Sequence, residues 1–270
     1  MKTYGGILSF SLLLAASAGV CSAQATITNV LNGASFATGQ PITGGSLITI
    51  FGTNLATTTA GADTIPLSTH LGGVSLVQFQ NGSTKINAPI LFVGPTQLNV
   101  QVPWDIVPAG TTATVKVVVN SNGNLPSANV TVGPFSPGIF AFNNTLAIAS
   151  NFSDGSYPWP VGAVAGLTSH PAKMGDVLVI YATGLGAVNG TTPANGDNTG
   201  GATISNQVTP QVLIGGVSAQ VAFAGLSPQF VGVNQLNVVV PNVAPGSAVP
   251  LQIMVGGITS PATTTIAITQ

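Results

Sequence analysis

Gln97-Leu98-Asn99-Val100-Gln101-Val102-Pro103 returns later in the chain as Gln235-Leu236-Asn237-Val238-Val239-Val240-Pro241, changed only where Gln101 becomes Val239. Each copy alternates: Leu98, Val100 and Val102 share one face, and Gln97, Asn99 and Gln101 the other. Period-two alternation of apolar and amide side chains predicts a half-buried antiparallel strand. Pro103 and Pro241 end it by withholding an N–H from the ladder.

Working outward, the same order of blocks flanks both copies. Gly45-Ser46-Leu47-Ile48-Thr49-Ile50-Phe51-Gly52-Thr53-Asn54-Leu55 answers to Gly175-Asp176-Val177-Leu178-Val179-Ile180-Tyr181-Ala182-Thr183-Gly184-Leu185. Gly72-Gly73-Val74-Ser75 repeats as Gly215-Gly216-Val217-Ser218, and Pro108-Ala109-Gly110 is answered by Ala244-Pro245-Gly246. Solenoid and propeller repeats have periods of about 20–50 residues, so a period above about 100 means duplicated domains. The 34 Gly and 19 Pro punctuate short runs rich in Val, Ile and Thr, with no sustained helical spacing. The reading is all-β: two tandem immunoglobulin-like antiparallel β-sandwich domains, at 26–134 and 145–270. The join, Gly133-Pro134-Phe135-Ser136-Pro137-Gly138, reads as a stiff turn.

The chain begins with Lys2, an uncharged apolar run from Ile7 to Val20, and the small exit Cys21-Ser22-Ala23. That pattern predicts a signal peptide over 1–23 and a secreted or cell-surface protein. Val20 and Ala18 are wrong for a lipoprotein site at Cys21, the only cysteine, so the mature chain is expected to lack thiol and disulfide chemistry. Beyond the leader, no apolar run reaches the roughly 18 residues of a membrane helix. Four Lys, no Arg, five Asp and no Glu give a net charge of −1. Lys85, Lys116 and Lys173 are scattered singly, which argues against nucleic acid as a partner. Weak mutual repulsion favours self-association.

Asn32-Gly33-Ala34-Ser35-Phe36, Gly45 to Leu55, Pro95 to Pro103, Pro171 to Gly186, Phe223-Ala224-Gly225-Leu226 and Gln235 to Pro241 together carry a family likeness. The chain resembles the Solibacter-type, acidobacterial C-terminal domain family, related to immunoglobulin-like IPT/TIG modules. The resemblance spans almost all of the mature chain. It implies a compact pair of β-sandwiches, usually appended to larger secreted proteins, and supplies no catalytic positions.

Catalytic groups are sparse. Asp63, Asp105, Asp154, Asp176 and Asp197 are far apart, in stretches that read as turns, where a carboxylate bonds nearby backbone. His70 and His170 lack cysteine or glutamate neighbours and read as loop or surface residues. Asn151, Asp154 and Ser156, and separately Asn195, Asp197 and Asn198, cluster oxygen atoms without the acidic density of a calcium loop. No G-x-S-x-G elbow occurs. The sequons at Asn81, Asn143, Asn151 and Asn189 read as turn chemistry. No metal or cofactor is expected.

Trp104, Tyr157 and Trp159 are the binding candidates, because rings on proline-stiffened loops stack on sugars or anchor a partner at low entropic cost. The same rings could cap a sandwich end or fill the seam between domains. The expectation is a secreted, non-enzymatic module for adhesion, surface structure or binding of an extracellular protein or glycan. The alternatives are a self-assembling surface-layer or fibre subunit and a carbohydrate-binding module.

Overall fold

The computed structural model describes residues 24–121 and 123–270; the expected leader, 1–23, lies outside them. The protein is all-β. The first sandwich contains β1 Thr26–Asn32, β2 Leu47–Thr53, β3 Ala60–Gly61, β4 Val74–Asn81, β5 Thr84–Asn87, β6 Ile90–Val93, β7 Gln97–Gln101, β8 Ala113–Ser121 and β9 Ser127–Val132. Its sheets are ordered β1-β2-β7-β6-β3 and β5-β4-β8-β9. The alternation in β7 holds for Leu98 and Val100, which meet Ile48, Ile50, Val77, Phe79, Val115 and Val117 in a core where all are 0 % exposed. Burying each such aliphatic side chain stabilises by roughly 1.5–3 kcal/mol. On the opposite face, the Gln97 side chain donates to Asn99 at 2.8 Å, and Gln235 repeats this to Asn237 at 3.1 Å.

The second unit contains β10 Gly138–Ile139, β11 Ala141–Phe142, β12 Leu146–Ala147, β13 Ala149–Asn151, β14 Val177–Thr183, β15 Gln211–Ile214, β16 Val217–Leu226, β17 Asn234–Val239, β18 Gly246–Val255, β19 Ile258–Thr259 and β20 Thr265–Ile268. These form one 11-stranded sheet. The long β16 pairs with β15 through Val217–Ala219 and with β17 from Gln220 onward, so it belongs to both faces. The sheet is therefore continuous and barrel-like around a core that includes Leu178, Ile180, Leu236, Val238, Leu251 and Ile266. The expected antiparallel pairing has one exception among the named strands, the short parallel contact of β12 with β20.

The duplication extends to individual hydrogen bonds. Gly45 N donates to Val102 O, as Gly175 N does to Val240 O; Ser46 N donates to Thr43 O, as Asp176 N does to Lys173 O. One block of matching letters is not a match in place. β4 pairs with β8 as β15 pairs with β18, so the turn at Gly215-Gly216 corresponds to the turn at Gly82, whereas Gly72-Gly73 precede β4. Both are glycine turns with positive φ entering a strand, which makes the letters alike.

The join is clamped from both sides. Asn32 Nδ2 donates to Ser136 O at 2.6 Å, while Ser136 N donates to Gly184 O at 2.9 Å. A Cβ at Gly184, whose φ is +81°, would collide with the Ser136 carbonyl oxygen. Phe135 packs against Gly186 and Gly256 of the second unit in the same way.

Candidate functional site

The two units meet end to end: the turn-bearing end of the first, at Thr43–Ser46 and Gln101–Asp105, faces the loops that follow β14 and β16 in the second. Thr183 Oγ1 accepts from Leu47 N at 3.0 Å and donates to Gly232 O at 2.7 Å, and Thr183 is 0 % exposed. Gln101, 1 % exposed, donates to Gly45 O at 3.2 Å and accepts from Gly196 N at 2.7 Å. Gly196 O in turn accepts from Leu67 N at 2.7 Å, and Asn195 Oδ1 accepts from Trp104 N at 2.9 Å. Buried polar groups with their partners satisfied fix geometry strongly, because breaking one leaves a desolvated donor or acceptor.

Beside this seam runs a groove of about 290 Å3, lined by Thr43, Trp104, Asp105 and Thr111 from the first unit and Thr192 and Gln207 from the second. The six-membered ring of Trp104 lies against Gly45, where any side chain would overlap it. Within these residues, Thr43 Oγ1 and Trp104 Nε1 are shut off from the groove and from solvent and have no hydrogen-bond partner in the protein. Of the three candidate rings, only Trp104 lines this groove.

Trp159 is not open to a ligand. It is 0 % exposed, its Nε1 donates to Ala147 O at 2.8 Å, and Tyr157 stacks on it with centroids 4.1 Å apart and planes at 16°. The Tyr157-Pro158-Trp159 loop folds its rings onto each other and seals the side of the second unit. That is the capping role, and it removes Trp159 as a stacking platform.

His170, read from the sequence as an isolated loop residue, has partners instead. Its Nε2 lies 2.9 Å from Asp154 Oδ2 and 2.8 Å from Ser156 Oγ, and its Nδ1 lies 3.0 Å from Pro171 O. Ser156 donates to Asp154 Oδ1 through both its hydroxyl, at 2.7 Å, and its backbone N–H, at 2.9 Å. The hydrogen bond from His170, then those from Ser156, hold the Asp154 carboxyl well below its usual range. The Asp154 hydrogen bond, then the Pro171 carbonyl, push His170 above its ordinary value, since both ring nitrogens face oxygen acceptors.

A nucleophilic triad needs its carboxylate on one ring nitrogen and its serine on the other. Here both approach Nε2, and Ser156 is 3 % exposed. The cluster joins the Asn151–Tyr157 loop to the segment ending at Pro171, assisted by Tyr157 N to Thr168 O and His170 N to Tyr157 O. His70 is exposed, with Nδ1 3.0 Å from Thr69 Oγ1. Of the second calcium candidate set, Asn195 is committed to the seam, while Asp197 and Asn198 accept from the backbone of Asn198 and Gly200. Among the described residues, no three His, Cys, Asp or Glu side chains converge.

No family model matches the chain, and no curated protein matches it. The solved structures that resemble it include the plexin A4 full extracellular region, at 11 % identity over 93 % of this chain and 19 % of that one, with a TM-score of 0.26. The I9–I11 tandem from titin gives 12 % identity over 91 % of this chain and 66 % of that one, with a TM-score of 0.21. The titin Ig tandem A164-A165 gives 5 % over 91 % and 98 %, with a TM-score of 0.19. The chain spans 19 % of the plexin structure's length. No activity or partner follows from likenesses at this level. Among the described residues, no helix is long and apolar enough to cross a membrane.

Proposed function

We propose that this protein is an exported, non-enzymatic module that binds or holds extracellular components, and that its working surface is the groove at the seam. The observation that carries the reading is the buried hydrogen-bond bridge through Thr183 and Gln101, which fixes two sandwiches at one angle and gives the groove between them a constant shape. A preformed concave site binds without first paying to order itself. The arrangement of Asp154, Ser156 and His170 supports a structural rather than a nucleophilic role for that cluster. The leader pattern over 1–23 and the resemblance to secreted acidobacterial modules support export.

The test is a hydrolase and transferase substrate panel run on residues 24–270 beside Ser156→Ala and His170→Gln. No turnover above a heat-inactivated control is the expected result. Turnover that disappears in either variant would overturn the non-enzymatic reading.

A second reading, self-association, draws on a separate observation. Ile65 and Phe230, one from each unit, are 48 % and 49 % exposed and line one apolar groove on the seam. With a net charge of −1, little repulsion opposes contact between copies. Light scattering across a concentration range separates the readings: growth in mass that Phe230→Ser abolishes supports assembly, and a constant monomer mass excludes it.

A further inference from the structure

We propose that the apolar loop at 161–167 of one copy seats in the Ile65 and Phe230 groove of another, an inference that rests on the self-association reading and names its two surfaces. Val161-Gly162-Ala163-Val164-Ala165-Gly166-Leu167 contains no polar side chain. All of these residues but Val164 are exposed, Val161 at 79 % and Leu167 at 39 %. An exposed run of more than about three or four apolar residues is a liability unless something covers it.

The loop is an addition to the repeated plan. Asn32 pairs with Ile48 as Asn151 pairs with Leu178, so the connections 33–46 and 152–176 hold the same place in the two units. The first unit closes with the shorter connection, and the extra chain in the second carries the apolar run. Packing of a sandwich therefore does not require it. Its neck is nevertheless fixed: Ser169 Oγ donates to Pro160 O at 2.9 Å, Tyr157 N donates to Thr168 O at 3.0 Å, and Trp159 beside Pro160 is buried. Within the loop, Ala163 N donates to Pro160 O and Leu167 N to Val164 O, so the tip is a pair of turns. A tip shaped before contact loses little freedom on docking.

The groove offers the matching surface. Only Asp63 and Thr64 of its lining are polar; Leu67, Val231 and Val233 are buried, and Ile65 and Phe230 stand half exposed beside them. Its volume of about 310 Å3 admits the side chains of one loop tip. A charged or strongly polar segment would have its groups desolvated against this lining, whereas the loop has no polar side chain to strand. Nor does it bring an acid to Asp63.

Loop and groove lie toward opposite ends of β14. Phe152, on the way into the loop, donates from N to Val177 O at 2.8 Å at the start of that strand, while Tyr181 near its end meets Phe230 edge-on, with centroids 6.0 Å apart. The two surfaces are different patches of one chain, so the contact is heterologous. Each copy offers its loop to one neighbour and its groove to another, which builds a head-to-tail chain. A loop tip in a groove buries less than a standard interface, so a dissociation constant on the order of 10–100 µM is expected.

Sedimentation equilibrium on residues 24–270 from about 10 µM to 1 mM tests this. The mass of the wild type is expected to rise past the dimer. Phe230→Ser, and separately Val161→Ser combined with Leu167→Ser, should each stay monomeric; all three side chains are exposed, and an unchanged melting temperature checks the fold. An equimolar mixture of the two variants should form a dimer and stop there, because one supplies only a loop and the other only a groove.

A loop variant that assembles like the wild type overturns the loop as occupant and leaves self-association standing. So does a mixture that stays monomeric while the wild type grows, or wild-type growth that stops at a dimer. A wild type of constant monomer mass overturns both the contact and the self-association reading. Binding to phosphatidylcholine vesicles that only the loop variant loses, in a chain that stays monomeric, would give the loop to a lipid surface and overturn the contact as well.

Discussion

Replacing Thr183 by Val tests whether the seam is a structural bridge or an incidental contact. Val keeps the branched shape and removes only the hydroxyl, which accepts from Leu47 N at 3.0 Å and donates to Gly232 O at 2.7 Å. Thr183 is 0 % exposed, and Leu47 and Gly232 are buried as well, so no water replaces the lost partner. Each stranded backbone group costs about 1–3 kcal/mol, and with partial relaxation of the seam the pair should cost about 2–4 kcal/mol. For a chain of this length that corresponds to a fall of about 4–16 °C in melting temperature. Urea titration and calorimetry of wild type, Thr183→Val and Thr183→Ser measure it. The serine variant restores the hydroxyl and should recover most of the loss. A valine variant within about 1 °C of wild type, or a serine variant as damaged as valine, would refute the bridge.

Other expectations follow from the same geometry. Gly184→Ala forces a side chain into a φ of +81° and against the Ser136 carbonyl oxygen, and should cost at least about 1–3 kcal/mol in urea titration. Its counterpart Asn54, exposed and with φ +52°, should tolerate Gly within about 0.5 kcal/mol. Trp159→Ala should cost about 3–5 kcal/mol by the same measurement, because the ring is 0 % exposed and its N–H is paired. The Asp154–His170 pair should give a pH-dependent increment of stability. Asp154 is depressed, so its part is complete above its unfolded value near 3.8 and is lost as pH falls through its lowered folded value; His170 is raised, so its part is complete below its unfolded value near 6.5 and is lost as pH rises through its folded value. Both side chains are about half exposed, at 42 % and 49 %, so solvent screening keeps the increment small. Thermal melts from pH 4 to 9 should therefore show a shallow alkaline decline that His170→Gln flattens; an unchanged profile in that variant would show that the pair contributes nothing.

Much of the fold was legible because strands advertise themselves with a two-residue period. Leu98, Val100, Leu236 and Val238 are buried, while Gln97, Asn99, Gln235 and Asn237 are only partly so, as alternation requires. The one irregular letter of the repeat, Gln101 opposite Val239, was placed on the polar outer face; the structure buries it, because the second domain covers it. The misplaced glycine block was less forgiving, since any tight turn entering a strand calls for Gly and the letters cannot say which turn. Trp159 was read both as a stacking platform and as a cap, because a proline-flanked ring reads alike whether it faces water or the core, and its burial leaves the capping role.

The candidate site was legible only in part. Trp104 could be named, but not the neighbours that matter, because Thr43, Thr192 and Gln207 reach one groove from distant parts of the chain. Asp154 and Ser156 were grouped from the sequence, but the part of His170 was not legible for the same reason: it closes on Asp154 across sixteen positions through a loop with no periodic signal.

By itself, the sequence determined the duplication, the all-β class and the strands that carry the cores, because backbone alternation and turn chemistry are local properties. Only the tertiary structure decided what each repeated residue does. Thr53 and Thr183 stand at the same place in the two copies; the first is exposed and bonded to Thr26 at 2.9 Å, and the second is the buried bridge of the seam. Their strands and their chemistry are alike. What differs is that another domain covers one of them, and burial is set by the whole chain.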